Sequence, residues 1–412
     1  MSTDDVPEYP MPRAAECPFD PPPLLKQLQE EAPLTRISVF GRPAWMITRY
    51  AGQRLLADPR LSSDVSRPNF QSSSPQLLPQ DDRFGGGFIT LDDPEHARMR
   101  RMVTAPFTVK RVEALRPKVQ RIVDRLIDDL LAGPNPADLM SALALPIPSL
   151  VICELLGVPY EDHDFFQQNS LSLLDTTAGP ADQLKAHSNL GSFLDELIGQ
   201  KITNPGEDLL TDLAEQVRAG NLSRSEAAGN GLLMLVAGHE TTANMIALGT
   251  LALLEHPDQF ELLKKTDDPA VVGGAVEELL RYLNIAHMGR WRQVVEDLEF
   301  EGHTLKAGDN VVFANNIANR DPEVFADPDS LDLTRDARGH VAFGFGPHAC
   351  LGQPLARMEL KVVYRTLYHR IPTLRLAVPL AEIPFKHDAT VYGVASLPVT
   401  WQPHHHNESR SS

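Results

Sequence analysis

The longest apolar stretch of the chain begins at Ser225 and reads SEAAGNGLLMLVAGHETTANMIALGTLALLEHP, interrupted only at Pro257. Its apolar residues fall on all sides of a helical wheel, as in a helix buried at the centre of a large protein. Ser223 and Glu226 stand at capping-box spacing at its start. Further helical periods fill most of 94–265, among them PEHARMRRMVTAPF, VEALRPKVQRIVDRLIDDLLAG and LKAHSNLGSFLDELIGQKI, with breaks at Gly133-Pro134, Gly179-Pro180 and Pro205-Gly206. Nearer the N-terminus, LLKQLQEEAPLTRISVFGRPAWMITRY predicts a helix and then two short strands around Gly41 and Pro43. Residues 1–23 read as an extended lead-in, and the Ser-, Pro- and Gly-rich 62–88 as a long loop that can cover a site. After a helix ending near Tyr282, WRQVVEDLEFEGHTLKAGDNVVFAN carries strand and turn signals, and so does the tail from Leu374 to Trp401. The fold class is mainly α with small β-sheets, without internal repeats or an interdomain linker.

The middle of the long helix conflicts with its own surroundings. In AGHETT, residues 237–242, Gly238 weakens the helix, Thr241 and Thr242 add little to it, and Glu240 places a carboxylate in apolar context. His239-Glu240 begins a zinc-type HExxH pattern, but the fifth position is Ala243 and the second ligand is missing. Two readings stay open. One is a tolerated kink in which a Thr hydroxyl bonds back to a carbonyl. The other is an acid beside an alcohol that passes protons into a dry pocket.

A second concentration of unusual residues is FGFGPHACLGQPLAR, 343–357. Gly344, Gly346 and Gly352 permit close approach of a large flat group to the main chain, with Cys350 facing it. The sulfur precedes LGQPLARMELKVVYRTL, a buried helix by its spacing, whose macrodipole and free amides favour a thiolate. A thiolate can attack or ligate. His348 lies close in sequence, but no His/Asn constellation of a cysteine hydrolase is visible. A lone cysteine can also be a small buried hydrophobe.

Four motifs, in order along the chain, resemble those of the cytochrome P450 family of haem-thiolate monooxygenases: His96-x-x-x-Arg100, AGHETT, Glu278-x-x-Arg281 within EELLR, and Phe343-x-x-Gly346-x-x-x-Cys350-x-Gly352. The resemblance implies one mostly helical, roughly triangular domain around a buried haem, where length alone suggests two or three domains. That domain would span 16–403, between an extended segment 1–15 and a flexible tail 404–412. Haem b is the implied cofactor, with Cys350 as its axial thiolate. By the same resemblance His96, Arg100, Arg292 and His348 bind the propionates, while Ala237, Phe343, Gly344 and Gly352 lie against the cofactor. Glu240 and Thr241 become the acid and alcohol that guide protons during oxygen activation. Glu278, Arg281 and Arg335 become a structural lock on the segment leading to the cysteine. Substrate-facing candidates are Phe88, Ile89, Val236, Ile285, His287, Met288, Val391 and Val394, mostly apolar. His287 and Arg290 can meet a polar group, although surface or haem-facing roles stay open for them. The implied reaction inserts one oxygen atom of O2, typically as a hydroxyl, into a bulky apolar small molecule such as a polyketide, macrolide or terpenoid. A haem-binding sensor or carrier would use the same pocket but has little need of Glu240 and Thr241. A cysteine or zinc hydrolase needs no haem.

Charge narrows the partners. The chain has 38 Lys and Arg against 55 Asp and Glu, a net −17, which argues against nucleic acid. MSTDDVPEYPMPR has no apolar signal region and no apolar run approaches spanning length, so a cytoplasmic monomer away from membranes is expected. Cys17, Cys153 and Cys350 are too far apart for a disulfide framework. The family resemblance implies electrons from NAD(P)H through ferredoxin reductase and ferredoxin. An acidic ferredoxin meeting an acidic chain needs a local basic patch, for which Arg98, Arg101 and Arg357 are the candidates.

Overall fold

The computed structural model describes residues 6–14, 17–71, 87–174, 179–387 and 389–402. The buried helix runs unbroken over Arg224–Glu255. Its capping box is complete: the Ser223 N–H donates to Glu226 Oε2 at 2.7 Å and the Glu226 N–H to Ser223 Oγ at 3.1 Å. Helices Pro146–Leu156, Pro180–Thr203 and Gln353–Arg370 pack against it, which is why its sequence is apolar on every side. The predicted breaks mark real helix ends. Val109–Ala132 stops at Gly133, and Pro180 opens the first turn of Pro180–Thr203, where its missing N–H costs nothing.

The two strands around Gly41 are Leu34–Val39 and Arg42–Ile47, antiparallel with Leu34 opposite Ile47. Beside them lie Asn310–Phe313, Arg290–Val294 and Leu61–Ser62, which complete a five-stranded sheet. The strand Pro398–Thr400 sits between Ala137–Asp138 and Arg375–Leu376 in a second, three-stranded sheet. No described helix is long and apolar enough to cross a membrane.

The N-terminal segment is extended and packs on the rest of the chain. Tyr9 and Met11 are buried, the Tyr9 N–H donates to the Ser38 carbonyl, and the Tyr9 hydroxyl donates to the His287 carbonyl at 2.8 Å. Arg13 lies 3.8 Å over the Tyr392 ring and donates to the Asp20 carbonyl. Two apolar residues, Tyr9 and Met11, among Pro7, Pro10 and Pro12 are too few for an alternation to stand out in the sequence. Most of the expected covering loop, 72–86, and the tail 404–412 lie outside the described residues.

Candidate active site

The cysteine loop is a chain of tight turns. The Cys350 N–H donates to the Phe343 carbonyl at 2.8 Å, and the Ala349 N–H to the Gly346 carbonyl at 3.0 Å. Gly344 and Gly346 have φ of 76° and 77°, the left-handed region that glycine adopts without strain. A Cβ at Gly346 would stand 3.0 Å from Ala57 and from the Leu56 carbonyl. The close approach at Gly346 is therefore to the turn Tyr50–Ala57, whereas the sequence pointed to a flat ligand there. Gly352 caps the helix Gln353–Arg370 and places the sulfur at its N-terminus, as expected. Burial nevertheless pushes the Cys350 thiol up, against the opposing effects of the Gly352 amide and of Arg290, Arg100 and Arg357. The helix terminus alone does not make a thiolate; coordination to a metal ion does so outright.

Around this loop the structure gathers buried and half-buried basic side chains. His96 is buried, with Nδ1 3.0 Å from Asp93 Oδ1 and its ring stacked on His348 at 3.9 Å. Its Nε2 is buried with no hydrogen-bond partner, and so is Arg292 Nε. Arg100 donates to the Ala349 carbonyl, and Arg292 to the Trp291 carbonyl, both at 2.6 Å. Burial lowers Arg290 while the charge of Cys350 opposes it, and its Nε lies 3.7 Å from where a Cβ at Gly344 would stand. Burial, aided by the charge on Arg290, lowers Arg292 to about 10. Burial and then the charges on Arg292, His96 and Arg100 lower His348 to about 3. Among the described residues no carboxylate lies within ion-pair reach of Arg100, Arg290 or Arg292. Buried cations without counter-charges are costly. The cradle therefore fits a buried dianionic group such as the two propionates of haem.

The central helix presents one open stripe. Leu233, Val236, Ala237, Glu240 and Thr241 are incompletely buried at three- and four-residue spacing, and Ala237 alone is exposed between Ala227 and Leu253. In a helix packed on its other sides, that stripe borders an internal space. The Thr241 hydroxyl donates to the Ala237 carbonyl at 2.7 Å, and the helix continues through it. The back-bonded hydroxyl is thus present, in a helix that is continuous and open along one face. Burial raises the Glu240 carboxyl, and Lys386, with Nζ 3.6 Å from Oε1, opposes it. His239 is buried with Nε2 3.2 Å from the Leu145 carbonyl, and burial holds it at about 4.

The substrate-side residues divide. Phe88 is buried 5.9 Å from the His96 ring and 5.8 Å from the Arg100 guanidinium, on the cationic side. Ile89 is exposed, Val236 lies on the open stripe, and Ile285 and Val391 are half-buried. Met288 and Val394 are buried. The Tyr392 N–H donates to the Ile285 carbonyl at 2.9 Å, joining the two segments. The His287 ring is committed to the Ala389 carbonyl at 2.6 Å and packs on Tyr392.

Behind the loop, Glu278 and Arg281 are fully buried and bonded through both oxygens at 2.7 and 2.8 Å. Arg335 reaches the same carboxylate at 3.2 Å, and Arg281 also donates to the Asn319, Pro328 and Ser330 carbonyls. The expected basic patch is largely neutralised. Arg357 donates to both oxygens of Glu277, at 2.7 and 3.0 Å, and Arg98 faces Glu95 and Glu226. Only Arg101 of the three is exposed without an ion-pair partner among the described residues. Asp93, Glu277 and Lys386 went unnoticed in the sequence. Asp93 alone had a signal, the helical spacing of three before His96.

A cysteine sulfur beside basic side chains, together with a central helix that carries an acid and an alcohol on its open face, points to a haem-thiolate oxygenase. The cytochrome P450 family model matches residues 181–371. The chain is 52% identical over 405 residues to cytochrome P450 GfsF of Streptomyces halstedii, covering 97% of each, and the GfsF crystal structure superposes with a TM-score of 0.91 over 96% of this chain and 100% of that one. It is 46% identical to the vitamin D3 dihydroxylase of Streptomyces griseolus, over 97% of this chain and 98% of that one. The structure of CYP105P1 in complex with filipin I aligns with a TM-score of 0.88 at 39% identity, covering 97% and 100% of the two chains. The chain belongs to the cytochrome P450 family. It is a monooxygenase, and its family cofactor is thiolate-ligated haem b.

Proposed function

We propose that this enzyme hydroxylates a bulky, largely apolar secondary metabolite, drawing electrons from NAD(P)H through ferredoxin reductase and ferredoxin. The observation that carries the reading is the open stripe of the central helix, where Ala237 is exposed beside Glu240 and Thr241. Similarity to a vitamin D3 dihydroxylase and to a protein crystallised with filipin I supports the substrate class. The half-buried apolar positions Val236, Ile285 and Val391 support it as well.

Cys350 would ligate the iron, and His96 and Arg292, whose Nε2 and Nε are buried without a hydrogen-bond partner, would hold the propionates together with Arg100. When bound, haem supplies the electron-rich iron at which dioxygen is activated. The protein's part is proton handling. Glu240, raised by burial, takes a proton more readily near neutrality than an ordinary carboxylate. Thr241 is one residue away, and its hydroxyl oxygen keeps acceptor capacity while its hydrogen is held on the Ala237 carbonyl. Rotation of that hydroxyl releases the donor toward the open face. The buried walls exclude bulk water and prevent unproductive proton leakage.

The test has two stages. The reduced protein under carbon monoxide should show the thiolate-haem spectrum, and a colourless protein that cannot be reconstituted with haem would overturn the reading. Apolar metabolites should then be screened for a spin-state change and for a hydroxylated product in the presence of ferredoxin and its reductase. Turnover of none of the binders would overturn the hydroxylase assignment.

A further inference from the structure

The C-terminal hairpin touches both sides of the site. Phe385 and Val394 form an isolated antiparallel bridge, the Lys386 N–H donates to the Gly393 carbonyl at 2.9 Å, and the Ala395 N–H to the Pro384 carbonyl at 2.8 Å. Val391 and Val394 lie on one arm and Lys386 on the other. The hairpin presses onto the central helix at Gly393, where a Cβ would fall 1.6 Å from Asn244 Oδ1. Asn244 in turn donates to the Glu240 carbonyl at 2.9 Å. Lys386 reaches the same helical turn. Its Nζ stands 3.6 Å from Glu240 Oε1, with 23% and 14% of the two side chains exposed. That separation is too long for a hydrogen bond and short enough for an ion pair, so a small rotation of either chain engages or releases it.

We propose that Lys386 is a positioning residue for Glu240, and that through it the hairpin bearing Val391 and Val394 sets the direction in which the Glu240 carboxylate points. The inference rests on the proton-handling role given to Glu240 above. Among the described residues Lys386 is the only charged group within ion-pair reach of this carboxylate, and the adjacent His239 is turned to the Leu145 carbonyl. A substrate that displaces the hairpin arm at Val391 also moves Lys386, because the arms are bonded to each other. Filling of the pocket is thereby tied to release of the carboxylate toward Thr241. Without Lys386 a mostly buried carboxylate has no counter-charge, and its protonated form gains. An opposite charge at this range lowers a carboxyl by roughly one unit or more, so removing it raises the titration midpoint by about that amount.

The experiment compares the haem-loaded wild type with Lys386→Met, Lys386→Arg and Glu240→Gln. Infrared difference spectra against Glu240→Gln follow the protonated Glu240 carboxyl with pH and need no turnover. Product formed per NAD(P)H is measured over the same pH range, with the carbonyl spectrum as the check on folding. Lys386→Met should raise the infrared midpoint by about one pH unit and move in step the limb of the product profile that Glu240→Gln abolishes. Lys386→Arg should restore both. An unmoved midpoint in Lys386→Met, with coupling still lost in Glu240→Gln, overturns the inference and leaves the role of Glu240 standing. A shift that Lys386→Arg does not correct also overturns it, since charge is then not the cause. Unchanged coupling in Glu240→Gln overturns the underlying role and the inference with it.

Discussion

Glu277 should make the stability of this enzyme depend on acid in a way that one substitution removes. Its carboxylate accepts from Arg357 through Nε and Nη2, at 2.7 and 3.0 Å, and lies 3.1 Å from His340 Nε2. Burial alone pushes the carboxyl up, but the bonds to His340 and Arg357 outweigh it and hold it at about 2, below the ordinary 4.5. That gap corresponds to about 3 kcal/mol of folding stability. Because the folded value is the lower one, the contribution is complete above the unfolded value and is lost as pH falls toward the folded value. About 2 kcal/mol of it should be gone by pH 3. Urea unfolding followed by circular dichroism at pH 7, 5, 4 and 3, for wild type and Glu277→Gln, isolates this group from the other carboxylates. The two stability curves should be furthest apart at pH 5 and above and should converge toward pH 3. Parallel curves would refute the reasoning. Arg357 also lies 4.6 Å over Phe343, and the Ala342 N–H donates to His340 Nδ1, so hydrogen exchange in 340–350 should rise in the variant.

Glu278→Ala strands Arg281 in the interior and should cost about 3–5 kcal/mol in the same urea assay; a loss within the range of a surface substitution would contradict the buried lock. Cys350→Ser should abolish the thiolate carbonyl spectrum, whereas Cys153→Ser should keep it, because burial pushes the Cys153 thiol up to about 12 and leaves it inert. Thr241→Ala should bind haem and substrate yet form less product and more peroxide per NAD(P)H, and unchanged coupling would remove Thr241 from the proton route. Among charge reversals, Arg101→Glu should slow ferredoxin-driven haem reduction and weaken its salt dependence, with dithionite reduction as the control. Arg98→Glu should slow it as well, because it also leaves Glu95 and Glu226 without their counter-charge; an unaltered rate in both variants would show that the donor docks elsewhere.

The sequence made the central helix legible because its signals are local: an apolar period sustained to Pro257 and a capping box three residues wide. The cysteine loop was legible for the same reason, since Gly344, Gly346 and Cys350 fall within a few residues of one another. What the glycines contact was not. Ala57, against which Gly346 packs, is far away in the chain, and no period links them. Glu277 with Arg357, and Glu240 with Lys386, are likewise tertiary pairs whose members look like ordinary solvated charges when read singly. The strands carrying this information are also short. Leu61–Ser62 and Ala137–Asp138 have two residues each, too few for an alternation to appear.

The buried N-terminal segment has a consequence for engineering. Tyr9 holds His287 from behind, while Arg13 covers the ring of Tyr392, whose hydroxyl donates to the Pro18 carbonyl. Both segments proposed to face the substrate are therefore braced from the N-terminal segment. Chimeras that exchange only residues 7–20 between relatives would remodel selectivity by moving the wall's support. Libraries confined to the cavity lining would leave that source of variation unsampled.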